Sequence, residues 1–283
     1  MKKALLYGKD SYIGTHIKNT LMKYGVGVQE VDSKTVSPNE IDFTDIDVVI
    51  NVVGIAHIKI VPSMEELFYK INTDLAVELS RYAKAAGVTQ YIYLSSMNVY
   101  GDTKEKICST KQENPKNFYG RSKLQADQAL LKMQTPEYKV VCVRPPVVYG
   151  KDCKGNFSLL AKLAQYMIIC PAYHNLKSMI YIDNLTEFIY QCVLHEECGV
   201  FHPQNEEHTS TINIICEIRK VMKKSTCIIP GFGWLIRIMC KVNSKFDRAF
   251  QDDYYDLEFS RYRDNSYCKV EFEESIRRTI NGD

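Results

Sequence analysis

The sequence lacks any apolar run that approaches the ~20 residues a membrane-spanning helix needs. It also lacks a dominant charge, because 36 basic residues stand against 34 acidic ones and the formal net charge is only +2. Binding to a nucleic-acid backbone requires a broad excess of Lys and Arg. We therefore predict no membrane span and no nucleic-acid partner, and any site for an anion must be local.

Paired cysteines are absent as well. The ten cysteines form no Cys-x-x-Cys motif and no Cys/His cluster at zinc spacing. This scatter is typical of reduced thiols, so we expect a cytoplasmic protein. The histidines His174, His202 and His208 also lack the spacing of metal ligands, and no metal site is predicted.

Short apolar runs and amphipathic segments alternate along the first 150 residues. With 45% hydrophobic residues, a chain of 283 can bury a large core. Strands are predicted at 4–7, 26–31, 48–53, 88–94 and 139–143, and helices at 15–22, 64–86 and 119–133. Buried strands that alternate with helices imply an α/β fold with a Rossmann-type, doubly wound parallel sheet.

The pattern changes after Gly150. A helix is predicted at 156–166, a strand at 179–182 and a further helix after Asp183, and the remainder is irregular and rich in Tyr. We predict a dinucleotide-binding domain over 1–150, joined by a returning strand and helix near 177–195. Residues 151–283 would form mainly a smaller, substrate-binding lid.

A glycine turn links the first predicted strand to the first helix. Gly8 and Gly14 occupy the outer positions of a Gly-x-x-Gly-x-x-Gly pattern, and Ser11 fills the middle one. Such a turn lets a pyrophosphate approach the N–H groups at the helix N-terminus, here near Tyr12 and Ile13. A simple tight turn is the alternative, and the turn alone does not decide between them.

Asp32 closes the second predicted strand. A carboxylate there can bind a ribose diol and would repel a 2′-phosphate, so NAD is preferred over NADP. The alternative is an aspartate that caps a turn. Asp42 and the adjacent Phe43 could similarly reach the adenine, although Asp42 could equally cap a turn.

The third predicted strand ends in Val53 and Gly54, and His57 follows. In open α/β sheets ligands bind at the carboxyl ends of the strands. We therefore expect Val53 and Gly54 to contact the dinucleotide. His57 could contact the substrate or pack under the lid, and the sequence leaves both open.

A hydroxyl, a phenol and an ammonium group follow the fourth strand. That strand delivers Ser95 and Ser96 at its carboxyl end, and Tyr119 and Lys123 lie one helical turn apart. A cation beside a phenol favours the phenolate, which lowers the Tyr pKa toward a range usable in proton transfer. A Tyr-x-x-x-Lys pattern alone is weak evidence, because a solvated helix face produces it too.

Taken in order, these motifs resemble the extended short-chain dehydrogenases/reductases of the NAD-dependent epimerase/dehydratase family, which act on nucleotide sugars. The resemblance covers residues 3 to about 190. It rests on the glycine turn ending in Gly14, Ser95-Ser96 with Val99-Tyr100-Gly101, Tyr119-x-x-x-Lys123, the segment from Arg144 to Gly150, and Tyr181-Ile182-Asp183.

The resemblance implies roles for individual residues. Ser96 would bind the reacting C4 oxygen, Tyr119 would exchange its proton, and Lys123 would hold the nicotinamide ribose and lower the Tyr pKa. Ser95 is the rival hydroxyl, with a strand-end hydrogen bond as its expected role. Pro146 would contact the cofactor, which is expected to be NAD.

The chain departs from the family at two places. The 4,6-dehydratases carry Asp-Glu directly after the catalytic Ser or Thr, whereas this chain has Met97-Asn98, so dehydration is not expected. UDP-galactose epimerases carry Asn after the Arg of the sixth strand, where this chain has Pro145. Substrate contacts are therefore expected from Ser96, Asn98, Tyr119, Asn156, Lys177 and His57.

The leading functional hypothesis is an NAD-dependent 4-epimerase of a UDP-hexose or UDP-N-acetylhexosamine in surface-polysaccharide precursor synthesis. An NAD(P)H-dependent reductase of a UDP-4-keto-6-deoxy sugar is the alternative, and a non-catalytic dinucleotide-binding sensor is a lesser one. By resemblance we expect a homodimer through the helix that bears Tyr119. The apolar segment 233–240 could touch a membrane, but we expect a helix packed on the lid.

Overall fold

The structure is a computed structural model that describes residues 1–55, 61–101 and 104–282, with the backbone alone at 244 and 245. The chain divides into two compact units. The first comprises Met1–Asp102, Lys111–Pro145 and Ile182–Pro203, and the second comprises Thr103–Thr110, Pro146–Tyr181 and Gln204–Asp283.

The strands are β1 (Lys3–Tyr7), β2 (Gly27–Val31), β3 (Val48–Asn51), β4 (Gln90–Leu94), β5 (Lys106–Ile107), β6 (Lys139–Val143), β7 (Val147–Tyr149), β8 (Ile169–Pro171), β9 (Met179–Tyr181), β10 (Gly199–Phe201), β11 (Cys227–Ile229) and β12 (Tyr254–Tyr255). The α-helices are α1 (Tyr12–Lys23), α2 (Glu65–Tyr69), α3 (Leu75–Ala85), α4 (Phe118–Leu131), α5 (Asn156–Ala164), α6 (Ile182–Leu194), α7 (Thr211–Val221), α8 (Gly233–Val242), α9 (Ser244–Phe250), α10 (Leu257–Ser260) and α11 (Phe272–Asn281). A π-helical turn, Lys70–Asp74, joins α2 to α3.

The first unit is built on a six-stranded sheet in the order β10-β6-β4-β3-β1-β2, with every neighbouring pair parallel. The central strands are apolar and buried along their length, as strands covered by helices on both faces must be. This confirms the predicted Rossmann-type α/β fold. The strand order reverses between β1 and β3, where open α/β sheets bind ligands.

The edge of this sheet differs from the prediction. The predicted returning strand, β9, pairs with β7 in the second unit, and the sixth strand of the main sheet is β10. Only the predicted returning helix, α6, belongs to the first unit. Strand β10 has only three residues, all partly buried, and its first residue is Gly199. It therefore lacks the longer apolar run that predicts the other strands of this sheet.

The second unit contains short parallel strand pairs, β7–β9, β8–β11 and β5–β12, together with helices α5 and α7–α11. Arg219 is 2% exposed and donates to the carbonyls of Ala164 and Gln165 at 2.9 and 3.1 Å. This side chain fixes the end of α5 against α7. No helix in the described part of the chain has both the length and the apolar character to cross a bilayer.

A buried ion pair lies at the carboxyl ends of β4 and β6. Arg144 donates from Nε to Asp127 Oδ2 at 2.9 Å, and the two side chains are 4% and 0% exposed. Ser95 Oγ donates to the same oxygen at 2.9 Å. Arg144 Nη1 also donates to Glu113 and to the Tyr100 hydroxyl, both at 2.8 Å. These bonds fix both strand ends against α4.

We predict that Arg144→Met lowers the free energy of unfolding by about 3–5 kcal/mol, because it leaves a buried carboxylate without its cation. Arg121→Met is the matched control, since Arg121 pairs with Glu65 at 3.5 Å with both side chains over 40% exposed. It should cost less than about 1 kcal/mol. Urea unfolding measures both variants, and equal losses would contradict the structural role of the buried pair.

Candidate active site

The turn after β1 requires glycine at both ends. Gly8 has φ +117°, and a Cβ on it would lie 2.9 Å from a Val52 methyl group. A Cβ on Gly14 would lie 3.2 Å from the Gly8 carbonyl oxygen. The start of α1 therefore approaches the carboxyl ends of β1 and β3 more closely than side chains would allow.

Ser11, in the middle of the glycine pattern, is the N-cap of α1. Its Oγ accepts the Gly14 N–H at 3.1 Å, so the side chain caps the N-terminus of the helix. Tyr12 and Ile13 begin the helix, and its first turn contains no acidic residue. The positive end of the helix dipole is thus uncompensated by a carboxylate, which fits a pyrophosphate.

Asp32 lies beside this turn. Val31 O accepts the Gly8 N–H at 3.0 Å, so the ends of β1 and β2 are adjacent. Asp32 Oδ1 accepts the Lys34 N–H at 2.9 Å, which is the turn-capping role considered above. Its position next to the glycine turn also suits a ribose diol, and that role stays a prediction.

Asp42 and Phe43 lie in the loop between β2 and β3. Asp42 Oδ1 accepts the N–H and hydroxyl of Thr44 at 2.9 and 2.6 Å, and these bonds lower the Asp42 pKa. Phe43 is buried in the core. The segment leads into β3 from its amino end, where the Asp47 N–H donates to Lys3 O at 2.9 Å. The adenine contacts expected of Asp42 and Phe43 stay predictions.

Val53 and Gly54 follow β3 and face the residues of the site. A Cβ on Gly8 would lie 3.1 Å from a Val53 methyl group, and one on Gly54 would lie 2.9 Å from Lys123 Nζ. The structure thus brings the glycine turn, the end of β3 and the predicted lysine together. His57 lies outside the described residues.

Asn72, which sequence reasoning missed, holds this region together. It is fully buried in the π-helical turn. Its Oδ1 accepts the Ile55 N–H at 2.9 Å, and its Nδ2 donates to Ser122 Oγ at 3.0 Å. The amide therefore links the segment after β3 to α4. A lone amide on the buried face of an amphipathic helix was the signal that could have found it.

Ser96 is the second residue after β4 and is 7% exposed. It accepts hydrogen bonds from the Asn98 N–H and Nδ2 at 3.2 and 3.1 Å, and it lies close enough to the Tyr119 phenol to lower the pKa of that group. Ser95 instead binds Asp127, which is the structural role expected of it. Of the two hydroxyls, Ser96 is the one aligned with the phenol.

The approach of α4 to Ser96 depends on a glycine and a cap. Asn117 is the N-cap of α4 and accepts the Gly120 N–H at 2.9 Å. A Cβ on Gly120 would lie 2.5 Å from the Asn98 carbonyl oxygen. A larger residue at 120 would push the helix away and separate Tyr119 from Ser96.

Lys123 lies one turn after Tyr119 and is 3% exposed. Its Nζ donates to Leu94 O at 2.8 Å and lies 4.5 Å from the centre of the Tyr93 ring. Burial lowers the Lys123 pKa to about 8. The Asp127 carboxylate opposes this shift, which helps to keep the ammonium charged near neutral pH.

The pKa of Tyr119 shifts opposite to the prediction. Burial raises the Tyr119 pKa, the neighbouring Ser96 hydroxyl lowers it, and the Asp127 charge raises it again. Lys123 directs its ammonium at a carbonyl, so it does not offset the burial of the phenol. The structure therefore holds Tyr119 as a neutral phenol, ready to donate a proton to a substrate oxygen.

The remaining predicted contacts belong to the second unit. Pro146 precedes β7, and Asn156 is the exposed first residue of α5. Lys177 Nζ donates to Arg248 O at 3.0 Å, and burial lowers the Lys177 pKa. The cofactor and substrate contacts expected of these residues stay predictions.

Two curated relatives resemble the chain in sequence. UDP-glucose 4-epimerase of Vibrio cholerae is 27% identical over 274 residues, which cover 87% of this chain and 84% of the relative. The N-acetyl-α-D-glucosaminyl-diphospho-ditrans,octacis-undecaprenol 4-epimerase of Escherichia coli O157:H7 is 28% identical over 201 residues, covering 65% of this chain and 60% of that protein.

Solved structures share the fold. A dTDP-4-dehydrorhamnose reductase from Clostridium acetobutylicum superposes with a TM-score of 0.75 at 19% identity, covering 99% of this chain and 98% of its own. A UDP-glucuronic acid 4-epimerase from Bacillus cereus in complex with NAD gives 0.73 at 16% identity, covering 99% and 97%. The family model for the NAD dependent epimerase/dehydratase family matches residues 4–190. The chain belongs to this family and is an enzyme of it.

Proposed function

We propose that the protein is an NAD-dependent 4-epimerase of a UDP-hexose or UDP-N-acetylhexosamine that supplies surface-polysaccharide synthesis. The observation that carries the proposal is that the Ser96 hydroxyl lies close enough to the Tyr119 phenol to act on its pKa, with the Lys123 ammonium one turn further along α4 beside Gly54. The names of both curated relatives, each a 4-epimerase, support it.

The site residues suit proton transfer at a sugar C4 hydroxyl. NAD, when bound, supplies the hydride acceptor, and the glycine turn with the start of α1 would hold its pyrophosphate. Ser96 holds the C4 oxygen. Tyr119 takes the hydroxyl proton as the phenolate, after its own proton has left to solvent, and as the phenol it later returns a proton to the same oxygen. Lys123 orients the ribose. Asn98 has no acid or base to offer and holds Ser96 instead, so dehydration at C5 and C6 is not expected.

A 4-keto reductase is the second candidate. It would perform only the reducing half-reaction and consume NADH or NADPH. UDP-galactose epimerases carry Asn where this chain has the segment Pro145-Pro146-Val147, and Ser11 replaces the middle glycine of the turn. Ser11 and Val147 both favour a reductase. A catalytically silent sensor is disfavoured, because Ser96, Tyr119 and Lys123 are all present and adjacent.

The diphosphate carrier of the sugar has two candidates. A nucleoside is the first. A polyprenol is the second, since one relative is named for a sugar on undecaprenyl diphosphate and the second unit exposes an apolar helix face.

We also propose a homodimer through α4.

The first test is the dinucleotide content of the purified protein. A closed redox cycle requires a cofactor that stays bound, so we expect about one NAD per chain, released on denaturation. The protein should then interconvert UDP-glucose and UDP-galactose, or the N-acetylated pair, without added cofactor, as followed by NMR of the sugar anomeric protons. An initially empty protein that turns over only with a 4-keto sugar and added NAD(P)H would be a reductase.

Replacing the phenol tests the assigned acid/base. Tyr119→Phe should lower kcat on the order of 10²–10⁴-fold while leaving NAD content unchanged, because only the proton-transfer group is lost. Tyr82→Phe, on the exposed face of α3, is the matched control and should retain wild-type kcat. Full activity of Tyr119→Phe would remove Tyr119 from the mechanism.

The low pKa of Lys123 makes stability depend on pH. The unfolded chain holds the Lys123 proton up to about pH 10.4, whereas the folded protein releases it near pH 8. The unfolded state therefore binds more protons between these values, and stability rises with pH there. Relative to Lys123→Met, the wild type should gain about 2 kcal/mol from pH 7.5 to 9.5 in urea unfolding. A constant difference would contradict the shifted pKa.

A further inference from the structure

Helix α8 of the second unit exposes an apolar arc. Ile236 is the buried residue of this helix, at 3% exposed. The α8 arc consists of Trp234, Leu235, Ile238, Met239 and Val242, which are between 41% and 83% exposed. Their spacing of three and four residues places them along one side of the helix. The helix is therefore anchored by one side chain and turns its other large apolar side chains to solvent.

Further apolar surface adjoins the start of α8. Ala172 follows β8, and its N–H donates to Ile229 O of β11 at 2.9 Å. A Cβ on Gly233 would lie 3.2 Å from Ala172 O, so α8 begins directly against this strand pair. The pair contributes Ile169 and Ile228, which are 60% and 50% exposed. The apolar area thus extends beyond a single helix.

The segments that build this area are strongly basic. Residues 153–182 and 221–246 together contain eight Lys and Arg and no Asp or Glu, which leaves 28 basic and 34 acidic residues elsewhere. Arg237 and Lys241, four residues apart, lie along one flank of the α8 arc. Positive charge beside an exposed apolar stripe that includes Trp is typical of helices that lie in the plane of an anionic bilayer surface.

We propose that α8 is an interfacial helix that seats the second unit on an anionic lipid surface, with the α8 arc facing the acyl chains and Arg237 and Lys241 among the headgroups. A second copy of the chain is a poorer occupant. A two-fold contact through this face would bring Arg237 and Lys241 of both copies together, and such like-charge contacts are costly. The inference rests on the proposed function in one respect: a sugar carried on a polyprenol would be presented to the enzyme at the membrane surface.

Trp234 makes the test specific, because it is the one Trp of the chain. The full-length protein is titrated with vesicles of phosphatidylcholine alone or mixed with phosphatidylglycerol, and Trp emission and co-sedimentation are recorded. We expect a blue shift and co-sedimentation that increase with the anionic fraction and weaken with salt.

Leu235→Glu should lower the partition coefficient at least about tenfold, because it places a carboxylate in the acyl region. Leu194→Glu is the matched control, since Leu194 is 52% exposed at the end of α6 in the first unit, and it should partition like the wild type. Both variants should convert a UDP-sugar at the wild-type rate without vesicles.

Three results would overturn the proposal: no blue shift and no co-sedimentation with the anionic vesicles, equal loss of partitioning in both variants, or a vesicle-free oligomer that Leu235→Glu dissociates. Loss of docking with intact UDP-sugar turnover would overturn this inference alone. Docking by a protein without epimerase or reductase activity would overturn the proposed function alone.

Discussion

The buried carboxylate of Asp127 is the group around which the first unit is arranged. A charge without access to water must be met by a cation and hydrogen bonds, and here Arg144 and Ser95 provide them at 2.9 Å each. Those two residues directly follow strands β6 and β4, whereas Asp127 lies on α4. The ion pair and hydrogen bond that stabilise this one carboxylate therefore also fix the position of Ser96 relative to α4, which carries Tyr119 and Lys123.

The same charge influences the chemistry. Asp127 raises the pKa of Lys123 and that of Tyr119, so it favours a protonated lysine and a neutral phenol. Burial acts on both groups as well, and it disfavours the ammonium and the phenolate alike. The site therefore does not favour a Tyr119 phenolate paired with a Lys123 ammonium. Proton exchange with Tyr119 depends on the charge that develops on the substrate oxygen, which Ser96 is placed to hold.

The sequence predicted the sheet because its strands are continuous apolar runs, and it predicted Ser96, Tyr119 and Lys123 as neighbours because strand ends and helix turns have fixed geometry. It missed Asn72, because the bonds of this residue to Ile55 and Ser122 join segments far apart in the sequence, and a lone amide on a buried helix face was their one local sign.

The exposure of the α8 arc differs from what we expected of a helix packed on the lid. A helix packed on the lid should bury its apolar side, but Ile236 alone is sequestered, and the arc opposite it stays in contact with solvent. Exposing several large apolar side chains opposes folding and solubility, so such a surface needs a reason. Arg237 and Lys241 along its flank supply one, because they add to the apolar surface the positive charge that an anionic membrane attracts.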